Sequence, residues 1–229
     1  MQKYILIVKK YFFKVFIGLV LGLIAGFFWY TSNYYHADQE ALNVLENERV
    51  VEYKNYIEFK VESDIGLIFY PGAKVEAYAY LVLLKSLSDK DINVFLIKMP
   101  FNLAVFNINA ADAIRKEYPT IQHWYIAGHS LGGAMASQHL EENADLYDGL
   151  IQLAAYPVNQ SEENILILYG SKDKILDLTK IETDLSIEIQ GGNHAYFGNY
   201  GEQAGDGSAS ISRKKQQEIT IDAIINFIK

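Results

Sequence analysis

Hydrophobic positions are unevenly distributed along the chain, and the densest run lies near the N-terminus. From Val15 to Tyr30 nearly every residue is apolar and none is charged. With the aromatic residues just before it, the run supplies the roughly 20 residues that a helix needs to span a bilayer. Its end is also aromatic, as is common at the membrane interface. The pattern predicts a basic flank and transmembrane anchor in residues 1–30, with residues 11–30 in the lipid bilayer.

The charges that flank this run predict its orientation. All the charged side chains of residues 1–30 are basic and precede the densest apolar part: Lys3, Lys9, Lys10 and Lys14. The positive-inside rule then puts the N-terminus in the cytoplasm and the rest of the chain outside the cell. A cleaved signal peptide is the alternative, but the run ends in bulky aromatic residues instead of the small residues of a cleavage site. We therefore expect an uncleaved, single-pass anchor in the cell membrane.

After a polar stretch at residues 31–49, which we interpret as a stalk or linker, the pattern alternates between strand and helix. Residues 50–61 alternate apolar and charged positions, as a strand does. Further strand-like runs occur at 64–70, 92–97, 123–127, 149–154, 165–169 and 185–189, separated by helix-like segments at 76–87, 110–118, 131–143 and from about 213 onward. Such alternation predicts an α/β domain over residues 50–229, with a mostly parallel sheet covered by helices on both faces.

Composition and charge exclude several classes of site. The chain contains no cysteine, so disulfides, thiolate metal sites and a cysteine nucleophile are excluded. The net charge is −8, and residues 31–229 carry 16 basic against 28 acidic side chains. The acidic excess in residues 31–229 argues against nucleic-acid binding, because that function needs a basic surface. No metal-ligand spacing occurs, so we expect no metal and no cofactor; Asp206, between two glycines, is expected to support a loop.

The stretch GHSLGG, residues 128–133, carries the first candidate for catalysis. It lies where a strand-like run changes into a helix-like pattern, which is the setting of a nucleophile elbow. Glycine at Gly128 and Gly132 leaves room for the neighbouring strand and helix, so the turn presents Ser130 at the end of the sheet. The N–H group of Leu131, at the start of the helix, would face an oxyanion formed at that serine.

Two further candidates follow later strands. Asp173, in YGSKD, comes after the strand at 165–169, and His194, in QGGNH, comes after the strand at 185–189. The carboxyl ends of parallel strands collect functional residues at one edge, so Ser130, Asp173 and His194 predict a nucleophile, an orienting acid and a general base. Asp177 and Asp184 are alternatives for the acid. The remaining histidines are interpreted as structural: His36, His123, His129 and His139.

The motifs GHSLGG, YGSKD and GGNHAYFGNYG, with YPGAKVEAYAY upstream, resemble the α/β-hydrolase family over residues 64–229. Among its members they are most similar to the small lidless bacterial group related to dienelactone hydrolases. The resemblance implies the α/β-hydrolase fold and a second oxyanion donor in the YPGA loop, either the Ala73 N–H, which position favours, or the Gly72 N–H. Dienelactone hydrolases use a cysteine nucleophile, so Ser130 departs from them and their substrate is not implied.

Together these observations predict a serine hydrolase that cleaves carboxylic esters through an acyl-enzyme. Its substrate would be a small molecule or an acyl ester. Only nine residues separate Ala155 from Ile165, too few for a cap domain. We therefore expect a site open to water, which favours hydrolysis. An acyltransferase that uses the same three residues, and a catalytically silent binding domain, remain as alternatives.

Overall fold

The chain forms two compact units, one ending at Tyr34 and one from Tyr35 to Lys229. The computed structural model describes residues 2–158, 164–181 and 186–229, with side chains from Tyr11 onward. The first unit consists of helix α1 (Gln2–Ser32). Within α1, Tyr11–Ser32 is long and apolar enough to cross a membrane, in agreement with the apolar pattern of the sequence.

The second unit is built around one eight-stranded sheet. Its strands are β1 (Val50–Glu52), β2 (Tyr56–Phe59), β3 (Ile65–Tyr70), β4 (Asn93–Ile97), β5 (His123–His129), β6 (Gly149–Leu153), β7 (Ile165–Gly170) and β8 (Ser186–Ile189). Their order is β1-β2-β4-β3-β5-β6-β7-β8. Strand β2 pairs antiparallel with both β1 and β4, and the remaining neighbours, from β4 to β8 in this order, pair parallel. This confirms the predicted, mostly parallel sheet.

The β-like region at residues 50–61 forms two strands, β1 and β2, with a turn between them, and the two strands pair with each other. The last strand was expected over residues 185–189, and Leu185 lies outside the described residues.

Helices cover both faces of the sheet, as predicted. The helices of this unit are α2 (Gln39–Asn43), α3 (Leu81–Ser88), α4 (Ala111–Glu117), α5 (Leu131–Glu141) and α6 (Arg213–Ile228). Buried residues of α3 and α6 share one apolar core, and those of α4 and α5 share the other. Strand β5 shows why the sequence specifies this arrangement: its alternate residues Tyr125 and Ala127 enter the first core, whereas Trp124 and Ile126 enter the second.

Residues 35–49, which the sequence assigned to the stalk, belong to the second unit. Tyr35 forms a parallel bridge with Val75. Its N–H donates to the carbonyl of Lys74 at 2.7 Å, and its carbonyl accepts from the N–H of Glu76 at 2.9 Å. These backbone hydrogen bonds fix the start of the unit against the loop that follows β3, so a stalk is restricted to the residues before Tyr35.

The parallel strands bring several loops to one edge of the sheet, which we call the carboxyl edge. Here lie the loops that follow β3, β4, β5, β6, β7 and β8. The connection from β6 to β7 is short, and no cap domain is formed by the residues that the structure describes. The carboxyl edge therefore contains every site residue predicted from the sequence.

Candidate active site

Ser130 lies on a sharp turn between β5 and α5. Its backbone has φ 53° and ψ −124°, a conformation that non-glycine residues rarely adopt. A Cβ atom at Gly128 would come within 2.5 Å of the Gly132 backbone, and one at Gly132 within 2.2 Å of the Tyr70 carbonyl oxygen. Only glycine fits at these two positions, so the flanking glycines allow the strained turn that carries Ser130.

His194 and Asp173 form a buried pair beside this turn. The Nδ1 atom of His194 lies 2.8 Å from Oδ2 of Asp173, and both side chains are almost fully buried. Asp173 Oδ1 accepts hydrogen bonds from the N–H groups of Ile175 at 2.8 Å and Leu176 at 2.9 Å. Because a carboxylate can only accept, Nδ1 carries the proton and Nε2 presents its lone pair.

Ser130 and His194 face the same cavity. It has a volume of about 300 Å³, and its lining is largely apolar: Leu131, Ala134, Ala154, Ala155, Tyr156, Ile175 and Leu176, with Asp177. The buried Nε2 atom of His194 has no hydrogen-bond partner among the described residues, so its bond to the Ser130 hydroxyl is not formed in this structure. A buried acceptor without a partner is costly, and His194 is one of the residues that line the cavity.

Two backbone N–H groups are placed to hold an oxyanion. Leu131 is the first residue of α5, so its N–H has no partner within the helix. In the loop after β3, the Gly72 N–H donates to the Tyr80 hydroxyl at 3.0 Å. No described residue accepts a hydrogen bond from the Ala73 N–H. Of the two donors that the sequence left open, the geometry therefore favours Ala73.

A buried hydrogen-bond chain, which was not predicted from the sequence, connects this loop to the histidine loop. Tyr80 Oη lies 2.8 Å from His129 Nδ1, and His129 Nε2 lies 3.1 Å from the carbonyl oxygen of His194. Since that carbonyl can only accept, Nε2 of His129 donates and Nδ1 accepts from Tyr80. Burial lowers the pKa of His129 well below its usual value of 6.5 and raises the pKa of Tyr80. A neutral imidazole and a protonated phenol are the states that this chain requires.

The loop that carries His194 is also held from α6. Gln216 accepts from the Asn193 N–H at 2.9 Å and donates to the Asn193 carbonyl at 2.8 Å. Asp206 accepts from the Ala195 N–H at 3.0 Å, as expected for a residue that supports the loop. Asn193 and Gln216 were not identified from the sequence, because single amide side chains in a loop and a helix form no recognisable motif.

The competing candidates are placed differently. Asp177 accepts hydrogen bonds from Thr179 and is half exposed. The partner of His194 is Asp173 and not Asp177. Asp184 lies outside the described residues. His123 is exposed and pairs with Asp148. Ser130 and His194 thus line one cavity, Asp173 is bonded to His194 behind the lining, and Asp177 lines the cavity without bonding His194.

Substitution of Tyr80 by phenylalanine should destabilise the fold. The change leaves the Gly72 N–H without an acceptor and His129 Nδ1 without a donor, at a cost of about 1–3 kcal/mol. Urea unfolding, followed by circular dichroism, would measure it. Tyr78→Phe is the matched control, because the Tyr78 hydroxyl bonds exposed Glu52 and its loss should change stability by less than about 0.5 kcal/mol. Equal stability of the two variants would contradict the proposed hydrogen-bond chain.

The described side chains around the site do not form a metal-binding group. Among the described residues, no group of three or more histidine, aspartate and glutamate side chains could hold a metal ion. The polar side chains in the cavity lining are those of Ser130, His194, Asp177 and Tyr156. This set suits proton transfer and nucleophilic attack.

Comparisons with solved structures show the same fold in several hydrolases. A dienelactone hydrolase from Anabaena variabilis has a TM-score of 0.58 and 12% identity, covering 80% of this chain and 100% of that chain. A monoacylglycerol lipase from Paleococcus ferrophilus has a TM-score of 0.57 and 11% identity, covering 78% and 99%. Est1E from Butyrivibrio proteoclasticus has a TM-score of 0.53 and 14% identity, covering 77% and 98%.

Sequence comparison identifies the family. No curated protein matches the chain. A family model described as an alpha/beta hydrolase family matches residues 66–218. That range covers about two thirds of the chain and includes Ser130, Asp173 and His194. The elbow, the sheet order and this match agree, and the chain belongs to the alpha/beta hydrolase family.

Proposed function

We propose that the protein is a membrane-anchored serine hydrolase that cleaves carboxylic esters through an acyl-enzyme. One observation carries the proposal. His194 is bonded through Nδ1 to buried Asp173, its Nε2 atom has no partner among the described residues, and it lines the same cavity as Ser130, which stands on a strained elbow. Strain and an unpaired buried acceptor both cost stability, and a catalytic role accounts for their presence together.

The proposed reaction begins at Ser130. Its hydroxyl rotates toward His194, gives its proton to Nε2, and Oγ attacks the carbonyl carbon of the ester. The carbonyl oxygen becomes negatively charged and accepts hydrogen bonds from the Leu131 and Ala73 N–H groups. When the intermediate collapses, the bond to the alcohol oxygen breaks, and this oxygen takes the proton from Nε2.

The second half of the reaction releases the acid. Water gives a proton to His194 Nε2 and attacks the acyl-enzyme, and Ser130 recovers its proton as the carboxylic acid leaves. Asp173 stays ionised throughout. It keeps the proton of His194 on Nδ1 and stabilises the imidazolium that forms in each half.

The lining of the cavity supports an ester with an uncharged acyl group. Alanine and aliphatic side chains form most of the wall, and Asp177 is the one acidic side chain in the lining that the structure describes. A volume of about 300 Å³ lies within the range of small-molecule sites. The structural neighbours named as a lipase and a dienelactone hydrolase act on ester bonds by those names, which supports the same bond type here.

The anchor completes the proposal. Residues Tyr11–Ser32 form the apolar part of α1, and lysines precede its densest part. We therefore place α1 across the cell membrane, with the N-terminus in the cytoplasm and the hydrolase unit outside.

Covalent labelling tests this function. A fluorophosphonate probe should modify the full-length protein once, and peptide mass spectrometry should locate the adduct at Ser130. Addition of a competing alcohol or amine during ester turnover should leave the free acid as the main product. Transfer of the acyl group to that acceptor would indicate an acyltransferase. A folded protein that is not labelled would contradict the hydrolase and favour a binding domain.

A further inference from the structure

The chain enters the second unit beside the candidate oxyanion hole. Tyr35 is bonded to Lys74 at 2.7 Å, and Lys74 directly follows Ala73. The Tyr35 hydroxyl accepts from the Ala204 N–H at 3.0 Å, in the loop that follows the candidate base. The first residue of the unit is therefore fixed between two loops of the carboxyl edge.

The connection from α1 to this point is short. Only Asn33 and Tyr34 separate Tyr35 from the last residue of α1, Ser32. Three consecutive Cα–Cα steps reach at most about 11 Å. The second unit therefore begins three residues after the last residue of α1, and its first residue is bonded to a loop of the carboxyl edge.

Apolar side chains are exposed on the same edge. Some are in the segment after β4, and the others are in the segments after β6 and β7. In the strand order these two groups lie on opposite sides of β5, which leads to Ser130. Each is between 40% and 55% exposed. This set, the apolar rim, consists of Phe101, Val105, Phe106, Val158, Ile175 and Leu178.

The apolar rim is continuous with the candidate site. The carbonyl oxygen of Asn102, next to Phe101, accepts from the Lys74 N–H at 2.8 Å, so this part of the rim lies against the oxyanion loop. On the other side, Ile175 lines the cavity itself. Exposed apolar side chains around a cavity mouth are typical of a surface that meets a partner or a membrane.

Acidic residues stand at both edges of the sheet. Those in or next to the segments that lead into β3, β4, β5 and β6, at the opposite edge, are Asp64, Asp89, Asp91, Glu117, Asp145 and Asp148. The loops of the carboxyl edge carry Asp173, Asp177 and Asp206. We therefore base the orientation on the exposed apolar side chains and not on charge.

We propose that the apolar rim rests on the bilayer and that the substrate is an acyl ester of an amphiphilic lipid, which reaches Ser130 from the membrane. The proposal rests on the proposed function for the anchor and for the ester chemistry. The ester group of a lipid lies near the interface that the rim contacts, so this group would enter the site before the acyl chain. The apolar wall of the cavity would receive part of the acyl chain.

Site-specific fluorescence tests the membrane contact without turnover. The chain has no cysteine, so Val105→Cys or Leu146→Cys provides a single labelling site for an environment-sensitive dye in the full-length protein. Leu146 is the matched control, an exposed aliphatic residue that precedes β6 at the opposite edge. In vesicles of phosphatidylcholine and phosphatidylglycerol, lipid-borne nitroxide should quench the dye at position 105 but not at position 146. Quenching by aqueous iodide at both positions and by nitroxide at neither would overturn the contact.

A rate ratio tests the substrate class. For wild type and for the full-length variants Phe106→Glu and Leu146→Glu, hydrolysis of a monoacylglycerol in vesicles is compared with hydrolysis of soluble p-nitrophenyl acetate. Phe106→Glu should lower the ratio of lipid to soluble rates by about tenfold, and Leu146→Glu should leave the ratio unchanged. An unchanged ratio in Phe106→Glu would overturn the lipid substrate. Failure of wild type to hydrolyse either ester would instead contradict the proposed function, whatever the quenching shows.

Discussion

Replacement of Ser130 by alanine should lower kcat/KM for p-nitrophenyl acetate by about 10⁴-fold or more. The change removes the only nucleophile that the proposed mechanism uses, while the fold keeps its shape because alanine is smaller than serine. The strained backbone at this position is tolerated by serine, so alanine, which also has a Cβ atom, adds no new clash. Circular dichroism and the unfolding midpoint would verify that the variant is folded.

Ser86→Ala is the control for this experiment. Ser86 lies within α3, and its hydroxyl bonds the Val82 carbonyl, away from the cavity. The activity of this variant should stay within about twofold of wild type. If Ser130→Ala kept a tenth or more of the wild-type activity, another residue or a water molecule would be the nucleophile, and an acyl-enzyme at Ser130 would be excluded.

Asp173→Asn should lower kcat by about 10⁴-fold with little change in structure. The Ile175 and Leu176 N–H groups donate to Oδ1 of Asp173, so the carbonyl oxygen of an asparagine would stay in that position. Its NH₂ group would then face Nδ1 of His194. Nδ1 would have to accept, the imidazole proton would move to Nε2, and His194 could no longer take the proton of Ser130.

Asp177→Asn is the matched control and also tests the acid that the sequence left as an alternative. Asp177 lies at the margin of the cavity and bonds Thr179, so its activity should stay within about twofold of wild type. The opposite result, an inactive Asp177→Asn and an active Asp173→Asn, would show that the loop rearranges and that Asp177 orients the base.

The fold was largely predictable because its information is local. Apolar runs at strand spacing alternate with amphipathic helices, and this alternation fixes a parallel sheet with two cores. Ser130 was predictable as well, because the glycine spacing around it and the change from strand to helix are both local patterns. The division of the β-like region 50–61 into β1 and β2 was not predictable, since the turn at residues 53–55 depends on how the two strands pair.

Other features depended on contacts between segments far apart in the chain. The choice of Ala73 over Gly72 depends on the hydroxyl of Tyr80, which in the sequence is one aromatic residue in an apolar helix. The position of Tyr35 beside the oxyanion loop is equally non-local, because a polar segment after an apolar run is equally compatible with a stalk.

The sequence by itself determined the class of fold, the family resemblance, the apolar span and the three residues of the candidate site. It could do so because periodicity, charge and glycine spacing act within a few residues of one another. The tertiary structure alone decided which acid pairs with His194 and which N–H group remains for an oxyanion. Those features are set by hydrogen bonds across the sheet edge, where the partners are separated by tens of residues and no local pattern records them.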